Sequence, residues 1–294
     1  DGKQMTEFGL LKRKGIIAFT DGIKTVQDPQ VMSRIMNFAS QSESLIMQHA
    51  EDNILSKDGL INEGEISTRL GLKGIPFLAE KIIVERDLSF LEEYFCKYHI
   101  SQISSEKTVS VIKKAKKEGK IFTTGVSINN LSLNENDIGD FKTFLKLSPP
   151  LRTESDRLAL VESVNDGIID VIVSDHKPQD EESKRLTFAQ AATGATGVET
   201  LLPLALELYH NKSIKLKQLI AAITSNPAKI LGINKGSLDN GSEADLCVID
   251  INKPWVVNKE KLKSKSKNTP IENRKLQGHV LKTFVKGELA YENI

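Results

Sequence analysis

Short apolar runs that end on polar or charged residues recur along the chain. Ile16-Ile17-Ala18-Phe19 ends at Thr20-Asp21-Gly22, Leu45-Ile46-Met47 at Gln48-His49, and the run from Ile121 to Val126 at Ser127. Tyr98 to Ile103 carries His99 and Gln102, and Ile168 to Val173 ends at Ser174-Asp175-His176. Runs of this kind suit parallel strands buried on both faces. Between them the spacing predicts helices. Pro29 to Ser40 lines up Val31, Ile35 and Phe38, and Pro76 to Phe95 lines up Ile82, Ile83, Leu88 and Leu91. Val109 to Glu118 is closed by Gly119 as a C′ residue. Thr153 is placed to N-cap the next helix. Ser225-Asn226-Pro227 opens Ala228 to Leu231, and Gly232 closes it.

Strand and helix in alternation predict an α/β fold with a parallel sheet. Polar residues gather at the C-terminal ends of the strands. In a (β/α) barrel that is the catalytic face, and an open doubly wound sheet, the alternative, also puts ligands at strand ends. Five or six strand–helix units can be counted, short of the eight of a closed barrel. After Gly232 the texture changes. Gly236, Gly241 and Gly278 punctuate alternating runs at Asp245 to Asp250, His279 to Val285 and Glu288 to Tyr291, as in antiparallel strands. The expected division is therefore a barrel-type part over 1–232 and a small β unit over 233–294. Lys259 to Lys267 reads as a solvated loop, and Lys113, Lys114, Lys116 and Lys117 as a basic face near a helix C-terminus.

Composition narrows the function classes. Forty Lys and Arg oppose 39 Asp and Glu in 294 residues, a net charge of +1. That balance leaves no electrostatic footprint for nucleic acid or an anionic membrane. No apolar run approaches the roughly 18 residues of a membrane span, and no signal peptide opens the chain. Cys96 and Cys247 lack metal-type spacing, and two such thiols fit a reducing cytoplasm. Asp1-Gly2-Lys3-Gln4 opens without Met, which with the short strand count suggests a fragment truncated at its N-terminus, expected to fold poorly on its own.

Asp21, His49, Asp175 and His176 each sit at a predicted strand end. Imidazole and carboxylate converging from separate strands are what metal-assisted hydrolysis needs. Each residue alone also reads as a cap or a hydrogen-bonded turn residue, and spacing does not fix the metal or the reaction.

Four longer segments go further: Asn62-Glu63-Gly64-Glu65-Ile66-Ser67-Thr68-Arg69-Leu70-Gly71-Leu72, Ser148-Pro149-Pro150-Leu151-Arg152, Ser174-Asp175-His176-Lys177-Pro178 and Ser264-Lys265-Ser266-Lys267-Asn268-Thr269-Pro270. Together with Gly241-Ser242-Glu243-Ala244-Asp245-Leu246 they resemble, in order, the dihydroorotases that associate with aspartate transcarbamoylase, members of the amidohydrolase superfamily. The resemblance implies a TIM-like (β/α)8 barrel, incomplete at the N-terminus, whose C-terminal unit is part of a composite β-sandwich. It implies zinc, one or two ions, held by Asp21, His49 and Asp175, with Asp175 also moving a proton. It implies reversible hydrolysis of dihydroorotate to carbamoyl aspartate in pyrimidine biosynthesis, with aspartate transcarbamoylase as a partner and a homodimer as an expected state. Ser148, Arg152, Gln179 and Gly194 fall at substrate-binding positions.

Several residues depart from the family pattern. Gln102 stands at a position normally His, Ser148 where an Asn contacts substrate, and Gln179 where a second His follows the Asp-His pair. Ala192-Thr193-Gly194 replaces Pro-Phe-Gly in the substrate-covering loop, and Ser127-Ile128-Asn129-Asn130 replaces a paired-His motif. A neutral amide is a weak zinc ligand beside imidazole. These departures keep two alternatives open: a non-catalytic homologue serving as a structural partner of the transcarbamoylase, and a hydantoinase- or allantoinase-type hydrolase.

Overall fold

The computed structural model describes residues 2–293. They fall into two compact units, one of residues 2–137 and 149–170, the other of 138–148 and 171–293.

The first unit holds a parallel sheet. Its strands Ala18–Phe19, Leu45–Gln48, Lys97–Ile100 and Thr123–Ser127 lie side by side in that order. Leu45 pairs with Ala18 on one side and Lys97 on the other, and His99 pairs with Thr123. Leu45, Ile46, Tyr98, Ile100 and Val126 are buried, as strands covered on both faces require. The covering helices are Pro29–Ser42, Phe77–Phe90, Glu106–Lys117 and Glu154–Asn165. Three of these four start on a side-chain cap. Asp28 accepts from Gln30 N and Val31 N, and Ser105 from Thr108 N. Thr153 and Asp156 form a reciprocal capping box, which satisfies two first-turn amides at once.

One helix turns a different face inward than the spacing predicts, and a second buries more than the predicted stripe. On the helix Pro29–Ser42 the buried line is Val31, Met32, Met36 and Ala39, and Phe38 is exposed. On Phe77–Phe90 the expected Ile83 and Leu88 are buried, as is Leu91 just beyond it, joined by Ala79, Glu80, Val84 and Asp87, while Ile82 is exposed. Asp87 is tolerated inside because Tyr98 Oη donates to Oδ2 at 2.5 Å and Arg86 Nε to Oδ1 at 2.8 Å. The four lysines do lie at the C-terminal end of Glu106–Lys117, where Lys116 pairs with Asp170 at 3.0 Å.

The second unit contains the strand Val171–Val173, the helices Leu201–His210, Leu216–Ile223 and Ser225–Leu231, and a three-stranded antiparallel sheet. That sheet runs Glu288–Glu292, Lys275–Val285, Leu246–Val256. Its strands cover the expected runs except Asp245 and extend beyond them, with register shifts at Val248/Ile249 and between Asp250 and Pro254. The helix Leu201–His210 packs hard against it: a Cβ on Gly278, whose φ is +111°, would meet Leu206 Cδ1 at 2.3 Å. Gly232 ends Ser225–Leu231 in the left-handed conformation expected of it.

Candidate active site

The chain reverses direction at the ends of the parallel strands, and the polar residues predicted there sit in those reversals. His49 follows Leu45–Gln48 and is buried. Its carbonyl accepts from Thr25 Oγ1 at 2.7 Å, which in turn accepts from Glu51 N at 3.1 Å. Gln27 Nε2 donates to Glu51 O at 2.8 Å and Gln27 Oε1 accepts from Asn53 N. The segment after the first strand is thus stitched to the loop that carries His49. The His49 ring faces a carboxylate, with Nε2 3.9 Å from Glu51 Oε2. Asp21 lies in the turn after Ala18–Phe19, exposed, and lines a cavity of about 290 Å³ with Phe19, Thr20 and Gln48.

Gln102 follows Lys97–Ile100 and is half-buried. Its segment is held from below by a buried polar chain. Glu80 Oε2 accepts from Ser104 N at 2.8 Å and from Ser104 Oγ at 2.5 Å, and Oε1 from Ser105 N at 3.2 Å. Ser104 Oγ accepts from Arg152 Nε at 3.0 Å. Arg152 Nη1 donates to Asn62 Oδ1 at 2.8 Å and Ile75 O at 2.6 Å, and Asn62 Nδ2 to Glu135 Oε2 at 2.7 Å. Arg152 is 4% exposed. Burial pulls its pKa below the usual arginine value, and the carboxylates of Glu80, Asp156, Glu51 and Glu135 oppose that pull. With Nε and Nη1 committed to protein groups, Arg152 is braced between Ser104 on one side and Asn62 and Ile75 on the other.

His99 points the same lesson at smaller scale. It is buried, its Nδ1 lies 2.8 Å from Thr123 Oγ1, and burial pulls its pKa down to about 4. Ser127 caps the helix Ile128–Ser132 by accepting from Asn129 N. Asn130 Nδ2 donates to Pro150 O at 2.9 Å, while the buried Asn129 Nδ2 has no partner.

In the second unit the remaining candidates come together. Asp175 follows Val171–Val173, is buried, and has a φ of 47°, a left-handed backbone that non-glycine residues adopt at a cost. Lys177 Nζ sits 3.0 Å from Asp175 Oδ1 and donates to Ser148 O at 2.7 Å, so one ammonium ties the candidate proton carrier to a candidate substrate residue. His176 Nδ1 accepts from Gly197 N and Val198 N, which leaves the ring proton on Nε2. Gln179 Nε2 donates to Thr193 O at 2.9 Å. Asn268 Oδ1 accepts from Gln179 N and Asn268 Nδ2 donates to Gly194 O at 3.0 Å. Gly194 has a φ of +130°, and a Cβ there would meet Lys177 Cβ and Lys177 O at 2.7 Å. Only glycine fits that approach. Lys177 and Asn268 lay inside the quoted segments without a role; their work appears only once the chain is folded.

The expected zinc ligands divide between the units, Asp21 and His49 in the first and Asp175 in the second. Among the described residues no three His, Cys, Asp or Glu side chains form a group able to hold a metal ion. Asp175 carries an ammonium partner and Gln102 offers only an amide.

Comparison with known proteins adds the relatives. Residues 7–290 match the model of the Amidohydrolase family. The chain is 42% identical over 288 residues to a dihydroorotase of Ehrlichia canis (strain Jake), covering 98% of this chain and 64% of that protein. It is 41% identical over 292 residues to a dihydroorotase of Syntrophus aciditrophicus (strain SB), covering 99% and 68%. The chain therefore spans about two-thirds of the length of the curated relatives it matches. Among solved structures, L-hydantoinase (dihydropyrimidinase) from Arthrobacter aurescens superposes with a TM-score of 0.86 at 24% identity, over 97% of this chain and 67% of that one. Dihydropyrimidinase from Brevibacillus agri NCHU1002 gives 0.85 at 20% identity, over 97% and 66%. These structures share the fold: an α/β architecture of the barrel type with a small antiparallel C-terminal sheet. Among the described residues no helix is long and apolar enough to cross a membrane.

Proposed function

Because the chain belongs to the amidohydrolase family, we propose that it serves as a dihydroorotase-type hydrolase of a cyclic amide, interconverting dihydroorotate and carbamoyl aspartate. One observation carries this reading: 42% identity to a dihydroorotase over 98% of the chain. In the hydrolytic direction water adds to the ring carbonyl, the ring C–N bond breaks, and the leaving nitrogen takes a proton. We assign that proton to Asp175. Lys177 fixes its carboxylate, and the left-handed backbone aims it. Ser148, Gln179 and Gly194 are assigned to the substrate rim, where Lys177, Thr193 and Asn268 hold them. Arg152 positions the Gln102 segment through Ser104. Metal dependence is general in the family. The division at 232 into a barrel part and a composite β unit belongs to the same proposal.

A second reading is favoured by a specific observation, the neutral Gln102 and Gln179 at positions where the family pattern has His, with Ser148 where it has Asn. It makes the chain a non-catalytic member that associates with aspartate transcarbamoylase. One experiment separates the two. The protein, with and without added zinc, is assayed for dihydroorotate formation and hydrolysis beside Asp175→Asn. The first reading expects turnover that falls about a thousandfold in the variant. Turnover equal in protein and variant, or absent from both, ends it, and co-purification with the transcarbamoylase then supports the second.

A further inference from the structure

Two lysines of the second unit are buried with no acid beside them among the described residues. Lys146 is 7% exposed and Lys184 3%. Lys146 Nζ donates to Ala189 O at 2.9 Å and Ala191 O at 2.8 Å. Lys184 Nζ donates to Ala192 O at 2.7 Å and Thr143 O at 2.9 Å. Among the described residues no carboxylate contributes to the charge environment of either ammonium, and the charge that bears on Lys184 is that of Lys146. Burial accordingly holds both below the ordinary lysine range, Lys184 at about 8.

A buried charge without a counter-ion is a poor stability device, since an apolar side chain of similar shape avoids the desolvation cost. What an ammonium adds is three donors around one point. Three of the four carbonyls gathered here belong to residues 189–192, directly before Thr193-Gly194. The main chain of the same region closes the grip. Lys146 O accepts from Gly194 N at 2.9 Å, and Ser183 O, next to Lys184, accepts from Ala192 N at 3.1 Å. The far end of the segment is Gly194, packed on Lys177 and Gln179.

We propose that Lys146 and Lys184 are positioning residues of the active-site rim: their ammonium groups gather the carbonyls of Ala189, Ala191 and Ala192 and thereby set Gly194 against Lys177 and Gln179. The assignment to a substrate rim rests on the dihydroorotase reading above; the grip itself does not.

The test uses the full chain with Lys146→Met and Lys184→Met made singly. Amide hydrogen exchange is followed by mass spectrometry, and turnover of dihydroorotate is measured alongside. Exchange over residues 187–197 should rise at least tenfold in each variant, with the helix Leu201–His210 unchanged. KM should rise about tenfold with kcat within twofold of the parent. Unchanged exchange over 187–197 in both variants overturns the proposal, and so does an equal rise in Leu201–His210, which marks general loosening. A KM that stays put while the segment loosens overturns the rim assignment. Should a Met variant fail to fold, Lys184→Gln replaces it under the same criteria. A parent protein without turnover sinks the dihydroorotase reading, and exchange alone then decides whether the lysines hold the segment.

Discussion

Both units bury cations beneath their candidate site residues, and they neutralise them differently. In the first, Arg152 reaches Glu80 through Ser104 and Glu135 through Asn62, so the positive charge is balanced by carboxylates across one relay on each side. In the second, Lys146 and Lys184 meet only carbonyl oxygens. A guanidinium stays protonated whatever its surroundings, so burying one demands compensating acids. An ammonium can release its proton when the surroundings tax it. The first arrangement should therefore hold up the unit and the second should shape one loop.

The sharpest way to break that contrast is Arg152→Met. It leaves Glu80 and Glu135 buried beside unfilled partners, and one-sided removal from such a network costs about 3–5 kcal/mol. Urea unfolding should show a loss of that size; a loss under about 1 kcal/mol would place Arg152 among ordinary surface pairs. Next comes acid. His99 has a folded pKa of about 4 against an ordinary 6.5, because burial disfavours its charged form. Its contribution is complete above pH 6.5 and is lost as pH falls through 4. The window amounts to roughly 3 kcal/mol at 1.4 kcal/mol per pKa unit. In His99→Gln, which keeps a partner for Thr123, unfolding measured from pH 7 to pH 4 should show a shallower slope. A slope equal to the parent's assigns the acid loss elsewhere. A smaller effect is expected of Glu80→Gln. It preserves shape and removes the charge on which Ser104 and Ser105 converge, for about 1–3 kcal/mol, and it should add little on top of Arg152→Met because the two share one network.

The fate of the helix faces shows how far the sequence could be read. Val31, Ile35 and Phe38 are spaced as a helical stripe, but Met32, Met36 and Ala39 form another one position along, and only the packed sheet decides between them. Glu80 and Asp87 look like a solvated face on Phe77–Phe90; they are inside because Ser104, Ser105, Tyr98 and Arg86 come to meet them. Strand ends were legible, since a buried run must stop where polarity begins, and His49 and Asp175 follow from that. The two-residue strands Ile61–Asn62 and Gly74–Ile75 are too short to show any period. The helix Leu201–His210 also went unread, with Pro203, Leu204, Ala205, Leu206 and Leu208 buried and little polar face to mark its turns. The supporting groups were out of reach for another reason. Arg152 meets Asn62 across 90 positions and Lys146 meets Ala191 across 45, and local patterning carries no trace of such partners.

The smallest global effect belongs to Lys184→Met, and it is the most diagnostic. Replacing the ammonium removes a desolvation cost and leaves Thr143 O and Ala192 O without a donor; these oppose each other, so the unfolding free energy should move by less than about 1 kcal/mol. The pH dependence gives a second handle. With a folded pKa of about 8 against an ordinary 10.5, Lys184 releases its proton more readily in the folded chain than in the unfolded one. The parent should therefore gain stability as pH climbs from about 8 to 10.5, and Lys184→Met should lack that gain. A variant that loses several kcal/mol at pH 7 would make Lys184 a support like Arg152. The two units would then differ in chemistry alone, with carbonyls doing for an ammonium what acids do for a guanidinium.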